Sequence, residues 1–165
     1  MTTGHHDHSG IERLHDARAM REIIQSSPDE ARHTLRLFTP VLSDPMFNSS
    51  AWAESVARFC ARHANNHFSL LVEDIKACRR QNGVLLDHLR KVSDHIGWRQ
   101  VAEQHRGLRE FILIIDDKLV LHQPSLDSLE TVVIREYRPR IKDFTNRFER
   151  MWQRATPQTL STLGL

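Results

Sequence analysis

The chain has 165 residues, of which 39% are hydrophobic and 27% are charged. This length and composition indicate one globular domain whose core needs neither disulfides nor a metal. The formal net charge of +2 lacks the basic excess of a dedicated nucleic-acid-binding protein. No apolar run approaches the ~20 residues of a membrane-spanning helix, and residues 1–10 lack a signal-peptide core. We therefore predict a cytoplasmic protein without a membrane partner, in which Cys60 and Cys78 are reduced.

The first predicted elements are a tail and a helix. Residues 1–10 contain Gly, Ser and Thr without apolar periodicity, which predicts a disordered tail. In residues 11–26 apolar side chains recur every three or four positions, which predicts an amphipathic helix that ends before Pro28. Its apolar face contains Ile11, Leu14, Ala17, Met20 and Ile24.

Two strands and a helix follow. The apolar run 35–38 is closed by turn-forming residues and predicts a strand. Ser50 is a suitable cap for a helix that stops at residues 65–66. The run 68–72 predicts the next strand. The apolar face of the helix contains Trp52, Val56, Phe59 and His63.

The next segment predicts a third helix over residues 83–95, with Gly97 as its C-terminal stop and residues 98–101 as a strand. Residues 111–115 are the most apolar stretch of the chain and predict a central buried strand. The turn sequence at 116–118 predicts a hairpin to its neighbour.

The C-terminal part predicts a strand over residues 131–134 and a closing helix from Tyr137 to Trp152. Together the elements predict an α/β fold with a mixed, mostly parallel sheet flanked by helices on both faces. We place one domain at residues 11–155, between the tail 1–10 and a second tail at 156–165.

The hairpin segment 114–121, with the sequence IIDDKLVL, resembles the phospholipase-D-like superfamily when it is combined with this order of elements. The chain is similar to a bacterial branch of domains of unknown function in that superfamily. The resemblance is carried by the order and spacing of four more segments, residues 35–40, 71–74, 83–86 and 148–152. It implies that residues 11–155 form one half of a phospholipase-D-like fold.

Catalytic members of this superfamily carry the motif His-x-Lys-x4-Asp, in which the histidine forms a phospho-enzyme and the lysine neutralises phosphate charge. With Asp116 at the acidic position, Arg109 stands at the histidine position and Phe111 at the lysine position. A guanidinium has no free lone pair to attack phosphorus, and phenylalanine carries no charge. His105 lies upstream and needs a loop excursion to reach the same place. We predict no catalytic residue.

The resemblance therefore implies a non-catalytic interaction or anion-binding module. Arg109, Phe111, Asp116 and His105 mark its degenerate motif, and Arg109 is the residue that can hold an anion. Asp116 is interpreted as a structural turn residue. The superfamily builds its functional unit from two halves, so we expect a homodimer through the face near Arg109 and Asp116, or another protein partner.

Two alternatives stay open. One is a divergent phosphodiesterase that uses His105, Arg109 and Asp116. The other is a phosphodiester-binding protein that binds nucleic acid, an interaction that depends on salt because phosphate contacts release counterions. Its basic patch would contain Lys76, Arg79, Arg80, Arg138 and Arg140.

Three other clusters are interpreted as structural. A tail gives His5, His6, Asp7 and His8 no fixed ligand geometry, so metal affinity there is adventitious. Cys60, His63 and His67 are separated by the predicted helix end, and the acidic pairs 73–74 and 116–117 suit turns and caps. The chain contains no phosphate-binding glycine loop, dinucleotide fingerprint, nucleophile elbow or paired C-x2-C motif. We predict no cofactor and no metal.

Overall fold

The structure, a computed structural model, describes residues 5–6 and 10–160. Its strands are β1 (His5–His6), β2 (Ile11–Leu14), β3 (Thr34–Thr39), β4 (His67–Val72), β5 (Ile96–Gln100), β6 (Phe111–Ile115), β7 (Leu119–Gln123), β8 (Thr131–Arg135) and β9 (Thr156–Pro157). Its α-helices are α1 (Ala17–Glu30), α2 (Ser50–Ala61), α3 (Ile75–Gln81), α4 (Gly83–Arg90) and α5 (Arg138–Arg154). The strands form one sheet in the order β1-β2-β8-β7-β6-β3-β4-β5-β9.

The sheet separates two apolar layers. Residues of α1, α2 and α4 pack with one face, and α5 packs against the other. The side chains of β6 alternate between these layers: Phe111 and Leu113 belong to the first, and Ile112 and Ile114 to the second. Burial on both faces explains why β6 is a continuous apolar run.

The predicted α/β fold, with a mixed sheet flanked by helices, is confirmed. The expectation of a mostly parallel sheet is wrong. Within the described sheet, β3–β4 and β4–β5 are parallel, whereas the other neighbouring strands are antiparallel. Helical crossovers connect β3 to β4 and β4 to β5, the two parallel pairs, whereas β6, β7 and β8 follow loops or a hairpin that reverse the chain.

The first helix starts and ends later than predicted. Residues 11–14 pair with β8 as a strand, and the Asp16 carboxylate caps α1 by accepting a hydrogen bond from the backbone N of Arg18 at 2.8 Å. Pro28 lies inside the last turn of α1. The Ile24 carbonyl, which Pro28 cannot bond, accepts from the Trp52 indole Nε1 at 3.0 Å and from Ser27 Oγ at 2.7 Å. Tertiary partners therefore make the proline tolerable.

The helix predicted over residues 83–95 is shorter, and Gly97 does not end it. The segment forms α4 and a separate 3-10 turn, Ser93–His95, and Gly97 lies within β5. A Cβ at Gly97 would come within 2.6 Å of the Trp152 ring and 3.2 Å of His67 Nε2. The glycine is needed for this close approach rather than for a helix stop.

Parts of both predicted tails pair with the sheet. His5 and His6 lie in register with Arg13 and Glu12. At the other end, residues 156–157 pair with β5, and the backbone N of Gln158 donates to the carbonyl of Trp98 at 2.7 Å. Residues 1–4, 7–9 and 161–165 lie outside the described residues. No helix in the described ranges is both long and apolar enough to cross a membrane.

Candidate anion-binding site

Arg109 and Asp116 flank β6 at its two ends. Because β6 runs antiparallel to β3, Arg109 lies at the carboxyl end of β3 and Asp116 at its amino end. The strand between them spans about 20 Å at the usual rise per residue. The expectation that both residues belong to one face is therefore wrong, and Asp116 is not part of a site around Arg109.

The Asp116 carboxylate is occupied by backbone donors. It accepts hydrogen bonds from the backbone N atoms of Arg32, His33 and Thr34 at 2.9, 2.8 and 2.9 Å. Its backbone φ of 50° lies in the left-handed region, which aspartate tolerates better than most residues. Asp116 therefore joins the β6–β7 turn to the start of β3, an arrangement suited to the structural role that we predict for it.

Phe111, which we align with the lysine of the motif, is buried. Only 4% of the residue is exposed, and its ring lies near that of Phe47, with centroids 6.4 Å apart. The Phe111 side chain is therefore part of the apolar core.

Arg109 is exposed and pairs with Asp127. Its Nη2 donates to Asp127 Oδ1 at 2.9 Å, and the two side chains are 63% and 71% exposed. This hydrogen bond raises the pKa of Arg109 and lowers the pKa of Asp127. An ion pair between exposed side chains contributes little free energy in water, so another anion can replace Asp127.

His105 lies in the 3-10 turn Glu103–His105, upstream of the Gly107 bend. Its Nδ1 is buried without a hydrogen-bond partner in the described part of the chain. It is absent from the walls of both cavities that adjoin Arg109. The structure does not bring His105 and Arg109 together in one cavity.

The first of these cavities, which we call the apolar cleft, has a volume of about 650 Å³. It lies between α1, the 3-10 turn Pro45–Asn48 and the loop that follows β7. Arg109 stands at one of its walls. Its apolar lining includes Met20, Ile24, Met46, Phe47, Phe111, Leu126 and Leu129.

The second cavity, which we call the basic groove, has a volume of about 770 Å³. It follows the carboxyl ends of β3, β4 and β5, the edge at which open α/β sheets commonly bind ligands. Its charged lining residues are Lys76, Arg79, Arg106, Arg109, Glu73 and Asp74.

Backbone donors engage both acids of the basic groove. Glu73 Oε1 accepts a hydrogen bond from the backbone N of Gly107 at 3.1 Å, and Asp74 Oδ1 caps α3 by accepting from the backbone N of Ala77 at 2.9 Å. The cap agrees with the interpretation of residues 73–74 as structural. These contacts partly satisfy the two carboxylates without using a cation of the groove.

In contrast to the two acids, the cations of the basic groove remain available to bind a ligand. Lys76 and Arg106 are exposed, and within the described residues their side chains make no hydrogen bond or ion pair. The Arg79 guanidinium lies 5.0 Å from the ring centroid of Trp98, a cation–π contact that orients it and leaves its donors usable. Together with Arg109 they give the groove a net positive charge.

The predicted basic patch is divided between the two faces of the sheet. Lys76, Arg79 and Arg80 lie on α3, whose buried residues join the first apolar layer. Arg138 and Arg140 lie at the start of α5, whose apolar side packs in the second layer. Of these five cations, only Lys76 and Arg79 line the basic groove. Sequence reasoning missed Arg106, which no periodic pattern distinguishes.

A buried charged cluster on the α5 face was also missed. Glu110 Oε2 accepts from His122 Nε2 at 2.6 Å and from Arg147 Nη1 at 2.8 Å. Burial by itself would raise the pKa of Glu110, but the hydrogen bonds from His122 and Arg147 outweigh it and lower the pKa to about 2. The available signal was Glu110 at the start of an apolar strand, on the inward side set by alternation.

The two cysteines are free and buried. Burial raises the pKa of Cys60 and of Cys78 to about 12. Among the described residues no group of three or more His, Cys, Asp or Glu side chains could hold a metal ion. Asp7 and His8, which belong to the histidine-rich segment, lie outside those residues.

The model of the family "Domain of unknown function (DUF7931)" matches residues 16–161. No curated protein matches the chain. Among solved structures, the chain is similar to Nuc from Salmonella typhimurium, a phospholipase D family member, with a TM-score of 0.60, 14% identity, and coverage of 83% of this chain and 89% of that one.

Two further solved structures have the same fold. NucT from Helicobacter pylori has a TM-score of 0.58 and 10% identity, and the match covers 89% of this chain and 99% of that chain. TrmBL2, an archaeal chromatin protein with a novel mode of DNA binding, has a TM-score of 0.64 and 14% identity over 92% of this chain and 54% of that chain. The chain thus spans about half the length of TrmBL2. It belongs to the DUF7931 family and has the phospholipase-D-like fold.

Proposed function

We propose that the chain is a non-catalytic phospholipase-D-like domain that binds an anionic ligand in the basic groove. The observation that carries this proposal is the charge balance of the groove. Lys76, Arg79, Arg106 and Arg109 line it, while its acids Glu73 and Asp74 accept hydrogen bonds from backbone amides. Charge-assisted hydrogen bonds from such cations are the usual means of holding phosphate or carboxylate.

The absence of catalysis is part of the proposal. An arginine at the position of the nucleophilic histidine cannot form a covalent phospho-enzyme, because its guanidinium stays protonated. The lysine position is held by Phe111, which is buried. We therefore assign Arg109 a binding role and expect no phosphodiester hydrolysis.

The test is isothermal titration calorimetry with inorganic pyrophosphate as the probe, at two salt concentrations. We expect saturable binding that weakens with salt. Arg106→Gln and Lys76→Gln should each weaken it about tenfold. Arg80→Gln is the matched control, because Arg80 lies on the same helix as Lys76 but does not line the groove. Absence of binding, or an equal loss in the control, would contradict the proposal.

A second candidate is binding of nucleic acid in the same groove. The fold likeness to TrmBL2 supports it, as does the location of Arg79 over Trp98 beside exposed cations. Fluorescence anisotropy with labelled single- and double-stranded DNA should then show a linear fall of log K with log salt, with a slope that decreases in Arg106→Gln. DNA affinity that is unchanged by Arg106→Gln would exclude this groove.

We also propose that the domain acts in the cytoplasm as a homodimer, with the interface at the Arg109 end of β6. Exposed Arg109 and Asp127 support this end, whereas the Asp116 end is already occupied by the backbone of residues 32–34. Size-exclusion chromatography with light scattering at micromolar concentrations should give twice the monomer mass. Arg109→Glu should reduce that mass, and a monomer at all concentrations would refute the proposal.

A further inference from the structure

The basic groove and the apolar cleft are neighbours that share part of their walls. Pro40, Val41 and Arg109 line both of them. Arg109 therefore stands where a strongly apolar cavity meets a positively charged one. A ligand that fills both cavities must carry its charge at one end only.

The cleft is built from flexible apolar side chains. Met20 and Met46 are partly buried and line it together with Leu126. Methionine adapts to variable apolar shapes because its chain is unbranched. Leu129 also lines the cleft and is 60% exposed. Because removing a leucine side chain from water is favourable, a ligand that covers Leu129 would be stabilised.

Three polar side chains of the cleft, those of Arg21, Asp44 and Gln123, are already engaged within the protein. Arg21 Nε donates to Asp44 Oδ2 at 2.7 Å, so these two charges neutralise each other. The Gln123 side chain donates to the carbonyl of Ser128 at 2.6 Å. These side chains therefore need no polar partner on the ligand.

From this juxtaposition we propose that the ligand is a single-chain anionic amphiphile, with its phosphate or carboxylate head in the basic groove beside Arg106 and Arg109 and its alkyl chain in the apolar cleft. The inference rests on the proposed function, because the head occupies the same groove. The cleft volume of about 650 Å³ falls in the usual range for small-molecule pockets. Phe111, which we align with the lysine of the motif, then contributes apolar surface to the cleft that holds the alkyl chain.

The test is calorimetric titration of the full chain with decyl phosphate, methyl phosphate, decanoate and decanol, all below their aggregation limits. We expect decyl phosphate to bind about 100-fold more tightly than methyl phosphate, because several methylenes leave water. Decanol, which lacks the charge, should bind at least about tenfold more weakly than decyl phosphate. Decanoate separates the two sources of the anion, since tighter binding than that of decyl phosphate points to a fatty acid and weaker binding to a phosphate monoester.

Variants separate the two ends of the ligand. Leu129→Asp should weaken decyl phosphate about tenfold and leave methyl phosphate unchanged, because it places a charge beside the chain. Tyr137→Asp is its control, since Tyr137 is the other exposed large apolar residue of the described chain and lies outside the cleft. Arg106→Gln should weaken both phosphates alike.

Each outcome decides between the two proposals. Equal affinity for decyl and methyl phosphate would overturn the amphiphile and leave the anion-binding groove standing. Equal affinity for decanol and decyl phosphate would overturn the groove as the site of the head. DNA binding that depends on Arg106, with no decyl phosphate binding, would make the groove a nucleic-acid surface and would also overturn the inference.

Discussion

The rings of Phe47 and Phe111 lie with their centroids 6.4 Å apart, at an interplanar angle of 33°. Phe111 is the residue that we align with the lysine of the motif, and Phe47 belongs to the 3-10 turn Pro45–Asn48. Phe111 therefore forms an aromatic contact of the core. The packing of Phe111 can therefore be tested apart from its predicted place in the motif.

Phe111→Lys should lower the free energy of unfolding by about 4 kcal/mol, because it removes a buried ring and introduces a charge into an apolar layer. Phe111→Leu, the control, should cost about 1 kcal/mol because volume and polarity are nearly kept. Urea unfolding followed by circular dichroism measures both. A lysine variant as stable as the wild type would show that the position is not a core position.

The Glu110 cluster predicts an acid-dependent stability. The hydrogen bonds from His122 and Arg147 overcome burial and hold the pKa of Glu110 at about 2, below its ordinary value of 4.5. A depressed carboxyl pKa adds stability above pH 4.5 that is lost as the pH falls through 4.5 toward 2. The shift corresponds to about 3 kcal/mol.

We therefore expect Glu110→Gln to be less stable than the wild type by about 3 kcal/mol at pH 7 and to approach it near pH 2. Urea unfolding at several pH values between these limits provides the measurement. Asp127→Asn, which changes an exposed carboxylate, should leave the acid dependence of unfolding almost unaltered. If the free energy of unfolding of Glu110→Gln depended on pH in the same way as that of the wild type, this account would be contradicted.

Asp116→Ala should reduce the free energy of unfolding by about 3 kcal/mol, because three backbone N–H groups lose their acceptor and alanine disfavours a positive φ. Asp117→Ala is the matched control, since Asp117 is the exposed neighbour in the same turn. Thermal unfolding of both variants tests the structural role of the Asp116 carboxylate. A larger effect of the Asp117 change would shift the structural role to that residue.

Gly97→Ala should displace Trp152, whose ring lies 2.6 Å from the position of the new Cβ. Crowding of this kind costs about 2 kcal/mol, and tryptophan fluorescence should shift as the ring moves. At Gly83 an added Cβ meets no atom within 4 Å, so Gly83→Ala in α4 serves as the control and should be neutral or stabilising. Equal stability of the two variants would argue against the close approach.

Cys60 and Cys78 should resist thiol reagents in the folded protein. Burial raises the pKa of each thiol to about 12, so little reactive thiolate forms at pH 8 and solvent access is blocked. Titration with a chromogenic disulfide reagent should detect two thiols only after unfolding. Rapid reaction of the native protein would show that one of them is accessible.

Local pattern was sufficient for several elements. The apolar run of β6, the turn at 116–118 and the start of α2 follow from burial, turn chemistry and capping, which depend on neighbouring residues, although the cap of α2 is Ser49 and not the predicted Ser50. The alignment of Arg109 and Phe111 with the motif also depends only on spacing. The α/β class could thus be predicted from the sequence.

Other features depend on partners that are distant in the chain. Pro28 stays helical because Trp52 reaches the Ile24 carbonyl, and residues 11–14 form a strand because β8 offers an edge. A glycine is needed at position 97 because the Trp152 ring packs closely against it, and not because a helix ends there. No local period carries this information, since each requirement arises from packing.

The features of the candidate site also fall into those that the sequence predicts and those that depend on the tertiary structure. The sequence by itself determined the spacing of Arg109, Phe111 and Asp116, on which their predicted alignment with the motif depends, because spacing along a strand is a local property. Only the tertiary structure decided that Asp116 lies at the far end of β6, that Arg138 and Arg140 lie on the opposite face, and that Arg106 joins Arg109 in the basic groove. Strand direction and loop path bring these cations together, and both are set by long-range pairing and burial.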